Sequence, residues 1–450
     1  MAFKETEDSV SEHNSMLRVA CYTLGCKVNG YESQAMLEQF ERAGCQVVSS
    51  EEEADVYLVN TCTVTHIAAH KSRQMLHRMR TRNPLALIVA CGCYVDQNIE
   101  ASQSLDGLAD LIISNRDKEH IVKKVFERLQ KDPVLPAEEE GFFISDAGSH
   151  TRAFLKVQDG CRQFCSYCII PYVRGPLKSK PLSEAVQEAR TLAKNGTREI
   201  VLTGIHLSSY GRDLEDHPSL PDLILALDAI DGLERIRLGS LEVGLITDEY
   251  IEAVKKSTKL CPHYHLSLQS GAAATLKAMN RRYTPEEFKL AADKLRGAFP
   301  DVALTTDVIV GFPGETEQDF EESARFIKEI GFADLHVFPY SARGGTAAAR
   351  RTDLFVDDGT KRSRSEAMIA IAKESELSFA RQFVGQTLDV LIEQPIGDDS
   401  VWEGYTANYL RVRVALPEGP HQNTLVPVQI HSVVSAGKGT YLMGVYHAGE

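Results

Sequence analysis

No stretch of the 450-residue chain approaches the roughly 20 consecutive apolar residues that a membrane-spanning helix needs. Residues 1–16, MAFKETEDSVSEHNSM, lack the apolar core of a secretory signal and read as a disordered tail. Positive charge is scarce as well: 49 Lys and Arg face 63 Asp and Glu, giving a formal net charge of −14. That balance excludes a chain that coats nucleic acid non-specifically, because phosphate contacts draw on a basic surface. Any nucleic-acid contact must come from local patches. Internal repeats and low-complexity tracts are absent too. What remains is a cytoplasmic globular chain with no membrane partner, long enough for about three domains.

Cysteine is where the chain is generous, with ten. In a reducing compartment these are metal ligands or apolar fillers before they are disulfides. The segment GCRQFCSYC, residues 160–168, gathers Cys161, Cys165 and Cys168 in one loop and stops short of a fourth. Structural zinc wants four closed ligands, as does a ferredoxin-type cluster. Three thiolates can hold three irons of a [4Fe-4S] cube and leave the fourth iron open. A zinc site with a distant fourth ligand is the competing reading. A second set of three is spread out: Cys26 in TLGCKVN, Cys62 in VNTCTV and Cys93 in CGCYVDQ each follow a strand-like run. Cys91 competes with Cys93, but it ends the apolar run, whereas Cys93 lies in the turn beyond; Cys93 is the ligand expected. Cys21, Cys45 and Cys261 sit in apolar or helical contexts and read as structural.

The pattern along the chain predicts where these sets sit. LRVACYTLGC, DVYLVN, LALIVAC and LADLIISN are apolar runs separated by polar or helical segments, the signature of a parallel, doubly wound α/β sheet over 17–130. In such a sheet the carboxyl ends of the strands share one rim, so distant cysteines can converge. Within the first helical segment Met36, Leu37 and Phe40 share one face. QKDPVLPAEEEGFF breaks the pattern and marks a linker over 131–150. Over 151–379, RAFLKVQ, EIVLTG, RIRLGS, HYHLSLQ, LTTDVIVG and DLHVFPY alternate with helices, which gives an incomplete barrel of six βα units. Thr284, Pro285 and Glu287 spell a helix start with a capping box, and a second helix runs from Thr316 to Gly331. The CxxxCxxC loop follows the first barrel strand, at the end where barrel active sites sit. Alternating runs over 380–447 predict a small antiparallel β-barrel.

The three-cysteine loop resembles that of radical S-adenosylmethionine (SAM) enzymes, whose partial (β/α)6 barrel matches the six strands. By resemblance Tyr167 would lie beside the adenine of SAM, and GFPGET would bring Gly311, Gly314 and Glu315 close to it. Glycine permits a near approach of backbone to ligand. Two three-cysteine sets in this order resemble the methylthiotransferase family from about residue 17 to 447, with a TRAM-like tail carried by GYTANYLRV. TLGCKVNGYES and GCYVDQ are similar to the branch acting on threonylcarbamoyladenosine in tRNA. The isopentenyladenosine branch has a Gln-Met pair where this chain has Lys27-Val28, and the ribosomal-protein branch a Pro-Lys pair.

The resemblance implies two [4Fe-4S] clusters and two uses of SAM. One methylates a sulfur at the amino-terminal cluster; the other is cleaved reductively, so that hydrogen is taken from carbon-2 of the adenine. It also implies tRNA, a sulfur source and an electron donor such as flavodoxin or ferredoxin as partners. The alternatives are the same chemistry on isopentenyladenosine or a ribosomal-protein aspartate, and a non-catalytic iron-sulfur protein that binds RNA or transfers electrons.

KSRQMLHRMRTR, residues 71–82, carries five Lys/Arg and no acid, and makes Arg78 and Arg80 candidates for phosphate contact. VRGPLKSK adds Arg174 and Lys178 near the expected substrate entrance. The tail is poor ground for RNA, with four Lys/Arg against seven Asp/Glu from 381 to 450. Tyr405 and Tyr409 read as core before they read as base-stacking platforms.

Overall fold

The computed structural model describes residues 16–97, 105, 107–131, 141–148, 150–397, 400–437 and 439–447. The tail expected over 1–16, apart from Met16, and residues 132–140 and 149 of the expected linker lie outside them.

The first module is β1 (Arg18–Thr23), α1 (Lys27–Arg42), β2 (Gln46–Val48), β3 (Val56–Thr61), α2 (His66–Arg82), β4 (Leu87–Gly92), α3 (Cys93–Gln97), β5 (Leu111–Ile113) and α4 (Ile121–Leu129). Its five strands are all parallel, in the order β2-β1-β3-β4-β5. β3 and β4 are buried at every residue because helices cover both faces, and this is why they read as unbroken apolar runs. Val56 and Leu58 join α1 and α4 in one core, with Met36 and Phe40; Tyr57 and Val59 join Leu76 and Met79 of α2 in the other. β2 was not legible beforehand, being an edge strand of three residues.

The second module contains β6 (Arg152–Asp159), α5 (Ile170–Arg174), β7 (Lys178–Ser179), α6 (Leu182–Lys194), β8 (Glu199–Gly204), α7 (Leu220–Asp228), β9 (Arg235–Leu238) and β10 (Ser240–Leu241). It continues with α8 (Asp248–Val254), β11 (His263–Leu266), α9 (Ala273–Ala278), α10 (Pro285–Ala298), β12 (Ala303–Val310), α11 (Glu317–Ile330), β13 (Asp334–Pro339) and α12 (Asp358–Arg381). Two four-stranded sheets, β7-β6-β8-β9 and β10-β11-β12-β13, are stitched by a parallel bridge between Ile236 and Leu260. The six expected strands are β6, β8, β9, β11, β12 and β13. Leu155, Ile200, Ile236, Tyr264 and Leu304 turn outward into the core shared with the helices. The pleat sends their alternates, among them Arg152, Glu199, Arg237, His263 and Thr305, to the inner face. α10 carries the expected capping box of Thr284 and Glu287, and α11 starts at Thr316 and stops at left-handed Gly331.

The third module is a closed barrel of β14 (Thr387–Ile396), β15 (Val401–Thr406), β16 (Arg411–Ala415), β17 (Leu425–Ala436) and β18 (Gly439–Tyr446), in the order β14-β15-β16-β18-β17. Its pairings are antiparallel except β16 with β18, which is parallel. β15 and β16 are separated by a tight turn in which Tyr409 adopts φ +71°.

This barrel plugs the amino-terminal mouth of the second module. Arg235 donates to the carbonyls of Tyr405 and Asp389, each at 2.8 Å, and Arg237 to that of Ala407 at 2.8 Å. The Arg237 guanidinium lies over the Tyr409 ring, and that of Arg152 over both Tyr405 and Tyr409. The two tyrosines therefore clamp modules together. Arg237 is also bonded to Glu199 at 2.7 Å, and both side chains are almost wholly buried. Arg237→Met leaves that buried carboxylate only Arg235, 3.7 Å away, and should cost about 3–5 kcal/mol. The double change Glu199→Gln/Arg237→Met should recover part of it in denaturant unfolding, the contacts to Ala407 and Tyr409 staying lost; equal losses in both variants would contradict the cost assigned to the unpaired carboxylate.

Candidate active site

The first thiol set is fixed by a backbone that tolerates no side chain at one point. Gly160, just after β6, adopts φ +69°, and a Cβ there would stand 1.8 Å from the carbonyl oxygen of Pro176. The Cys161 amide closes the loop on the carbonyl of Gly175 at 3.2 Å, and that of Cys168 on Cys165 at 2.9 Å. Cys161 Sγ accepts from the Gln163 amide and Cys165 Sγ from Arg281 Nη1, both at 3.4 Å. Arg281 is anchored by Glu242 at 2.6 Å. Burial pushes the Cys168 thiol up to about 12, and Cys165 and Cys161 lie within its electrostatic reach. Gly160→Ala should destabilise the loop by about 1–3 kcal/mol and lower the iron bound per chain; wild-type iron content would contradict the role given to this turn.

The second set stands on the rim of the parallel sheet. Cys26 follows β1 as the N-cap of α1, Cys62 follows β3, and Cys93 follows β4 as the first residue of α3. Cys62 lies within electrostatic reach of both Cys93 and Cys26. Ser72 of α2 braces it, donating to the Cys62 carbonyl and accepting from its amide, each at 3.1 Å. Cys91 is two residues from Cys93 but points into the sheet core, where burial pushes its thiol up to about 12. Cys45 lies in the same core, and Cys21 packs against it.

The two sets meet. Cys93 packs on Ile169, the residue after Cys168, and on Val173 of α5. Arg174, at the end of α5, donates to Cys93 Sγ at 3.4 Å. The same guanidinium is bonded to Glu32 at 2.6 Å, to Asp159 at 3.1 Å and to Asn29. Burial alone would raise the Glu32 carboxyl, but Arg174, Lys118 and Lys156 outweigh it and hold Glu32 well below the usual carboxylate range. Each thiol set thus receives one N–H from a carboxylate-anchored arginine.

Other expected residues fall differently. Arg174 was expected at the substrate entrance; with no exposed side-chain surface it is a brace between modules, because Asn29 and Glu32 of α1 and Asp159 of β6 enclose it. Arg80 is tied to Asp110 at 2.6 Å and to the Ala86 carbonyl at 3.0 Å, which leaves it little freedom for phosphate. Arg78 is exposed and paired with Glu51; Lys178 is 74% exposed, with Glu119 at 3.5 Å.

Tyr167 packs edge-on against Phe312 of GFPGET. Gly311 and Gly314 both take left-handed φ, +68° and +86°. The Glu315 carboxylate is engaged within the loop, accepting from the Gly311 amide at 2.8 Å and from Arg364 of α12 at 2.7 Å. Lys27 begins α1 beside Cys26, within electrostatic reach of Asp307 and Glu199 on the barrel strands. Arg281 and Glu242 carry no motif and were not foreseen.

All ten cysteines are free. Among the described residues no group of three or more His, Cys, Asp and Glu side chains could hold a metal ion. One zinc would need sulfurs about 3.8 Å apart, from bonds of about 2.3 Å. A cube binds each cysteine at a different iron and so spreads its sulfurs wider. Three neighbouring thiols per set are the donor chemistry that a polynuclear iron-sulfur group takes.

A partial parallel barrel with a CxxxCxxC loop on its first strand defines a radical SAM enzyme, and residues 155–327 match the Radical SAM superfamily. Residues 18–114 match a second model described as Uncharacterized protein family UPF0004. The chain is 40% identical over 409 residues to the threonylcarbamoyladenosine tRNA methylthiotransferase MtaB of Bacillus subtilis, covering 88% of this chain and 90% of that one. It is 37% identical to the protein of the same name from Chlamydia pneumoniae, covering 95% and 98%. The tRNA-2-methylthio-N(6)-dimethylallyladenosine synthase of Thermoanaerobacter pseudethanolicus is 35% identical, covering 82% and 81%. Among solved structures, the radical SAM methyltransferase TsrM of Kitasatospora setae, with cobalamin and a [4Fe-4S] cluster bound, superposes with a TM-score of 0.56 at 13% identity, covering 74% and 77%; this speaks to fold alone. The chain belongs to the radical SAM methylthiotransferase family, in the threonylcarbamoyladenosine branch.

Proposed function

We propose that this chain is a tRNA methylthiotransferase that converts threonylcarbamoyladenosine to its 2-methylthio derivative. The observation that supports this most directly is the meeting of two three-thiol sets at one junction, where Cys93 packs on Ile169. A site that joins sulfur to a carbon it has just activated needs both functions within reach of one substrate atom. When bound, SAM and the clusters supply the reductive cleavage and the sulfur, the steps that acid-base chemistry cannot perform at an aromatic C–H bond.

The side chains do the rest. Cys161, Cys165 and Cys168 would hold the SAM-cleaving cluster, and Cys26, Cys62 and Cys93 the sulfur-bearing one. Arg281 and Arg174 direct N–H groups at one sulfur of each set. Tyr167, Gly311 and Gly314 shape the wall where SAM would lie, and Glu315 keeps that loop folded through Gly311 and Arg364. Lys178 and Arg78 are surface cations suited to tRNA phosphates. A low-potential one-electron carrier and a sulfur source complete the reaction in the cytoplasm. None of the described helices is long and apolar enough to cross a membrane.

Anaerobic incubation with SAM, dithionite and tRNA bearing threonylcarbamoyladenosine, followed by nucleoside mass spectrometry, tests the reading. The 2-methylthio nucleoside and 5′-deoxyadenosine should appear together. Product only on tRNA bearing dimethylallyladenosine would move the substrate to the other base.

A further inference from the structure

Four of the five buried arginines among the described residues have a carboxylate partner. Arg174 has Glu32 and Asp159, Arg235 and Arg237 share Glu199, and Arg364 has Glu315 and Glu317. Arg343 is the exception. Its residue exposure is 5%, yet no Asp or Glu among the described residues pairs with it. One guanidinium nitrogen donates to Ser341 Oγ at 3.0 Å, and Nε has no acceptor at all. The Cys62 thiol and the Tyr340 phenol lie within its electrostatic reach.

Its place is as telling as its isolation. The loop after β13 crosses the junction of the two thiol sets: the Ala348 amide donates to the Ser166 carbonyl at 2.7 Å, and a Cβ on Gly345 would stand 3.6 Å from Ile169 Cδ1. Thr346 fixes the turn, its hydroxyl donating to the Arg343 carbonyl at 2.8 Å. The loop that carries the cation therefore lies against the segment bearing Cys165 and Cys168, with Cys62 within electrostatic reach of the guanidinium. A buried charge without a partner is unfavourable unless a ligand supplies one. The guanidinium fork matches a planar or tetrahedral oxyanion, carboxylate or phosphate.

We infer that Arg343 anchors an oxyanion of the target nucleotide at the junction of the two thiol sets, so that carbon-2 of the base is presented to both. This rests on the tRNA substrate proposed above. The target nucleotide offers two such groups, the flanking phosphodiester and the carboxylate of the threonylcarbamoyl substituent. Arg343 acts as a positioning and binding residue.

The test uses the full chain with both clusters reconstituted, as wild type, Arg343→Met and Arg343→Lys. Affinity is measured for tRNA bearing threonylcarbamoyladenosine, for the same tRNA unmodified, and for SAM alone. Arg343→Met should weaken binding of the modified tRNA at least tenfold, and Arg343→Lys by less. SAM affinity, tRNA-independent SAM cleavage and iron content should stay at wild-type values. Removing an uncompensated buried charge should leave the melting temperature unchanged or higher, whereas a purely structural arginine would lower it. A loss confined to modified tRNA assigns the carboxylate; an equal loss on both tRNAs assigns the phosphate. Wild-type tRNA affinity in Arg343→Met, or a loss of SAM affinity in its place, overturns the inference. A wild-type protein that methylthiolates no tRNA overturns the substrate reading and this inference together.

Discussion

Cys161→Ala should abolish SAM cleavage. The 5′-deoxyadenosine formed with dithionite should fall by at least about 100-fold, since losing a direct ligand costs more than the 10–100-fold typical of losing a ligand's hydrogen-bond partner. The expectation follows from how the loop is built. Cys161 is buried and its sulfur already accepts an amide hydrogen from Gln163, so it sits in a formed cradle. The surrounding turn is held by backbone contacts to Gly175, independent of the Cys161 side chain. The variant should therefore fold, with a melting temperature near that of wild type, and lose only about half its iron, because the second set is untouched. Retained cleavage would place the open iron elsewhere.

Cys62→Ala should separate the two halves of the reaction. Cleavage of SAM should continue near the wild-type rate while the 2-methylthio nucleoside drops by at least about 100-fold. The backbone of Cys62 is satisfied by Ser72 on both its amide and its carbonyl, so alanine leaves β3 and α2 joined. What disappears is one of three thiols on the sheet rim. Iron should again fall to about four per chain, this time with cleavage intact. Methylthiolation at the wild-type rate by this variant would remove the second set from the account. The pair of variants forms a cross, with each set losing a different activity, and no general loss of folding produces that pattern.

The cysteine sets were legible because cysteine is rare and because strand ends advertise themselves. A run of apolar residues that stops at a turn tells where a rim lies, and Cys26, Cys62 and Cys93 each stand just beyond such a run. The same logic separated Cys93 from Cys91. Charged residues were harder to place. Arg174 looked like a surface cation beside Lys178 because its partners Asn29 and Glu32 lie more than 140 residues away and only the tertiary fold brings them together. Glu315 sits in a loop expected to approach SAM, yet the arginine that occupies its carboxylate comes from α12. Arg281 and Arg343 gave no signal, since what distinguishes them is which acceptors they have or lack. β2 is too short for periodicity to register, and the parallel pairing of β16 with β18 follows from barrel closure, which no local pattern encodes.

In the function proposed above, this one chain carries two [4Fe-4S] clusters, each held by three cysteines. Iron and acid-labile sulfide counted on anaerobically reconstituted wild type test it most directly. About eight of each per chain are expected, falling to about four in either Cys161→Ala or Cys62→Ala. Stoichiometric zinc, or about four irons in wild type with no further loss in one of the two variants, would contradict it.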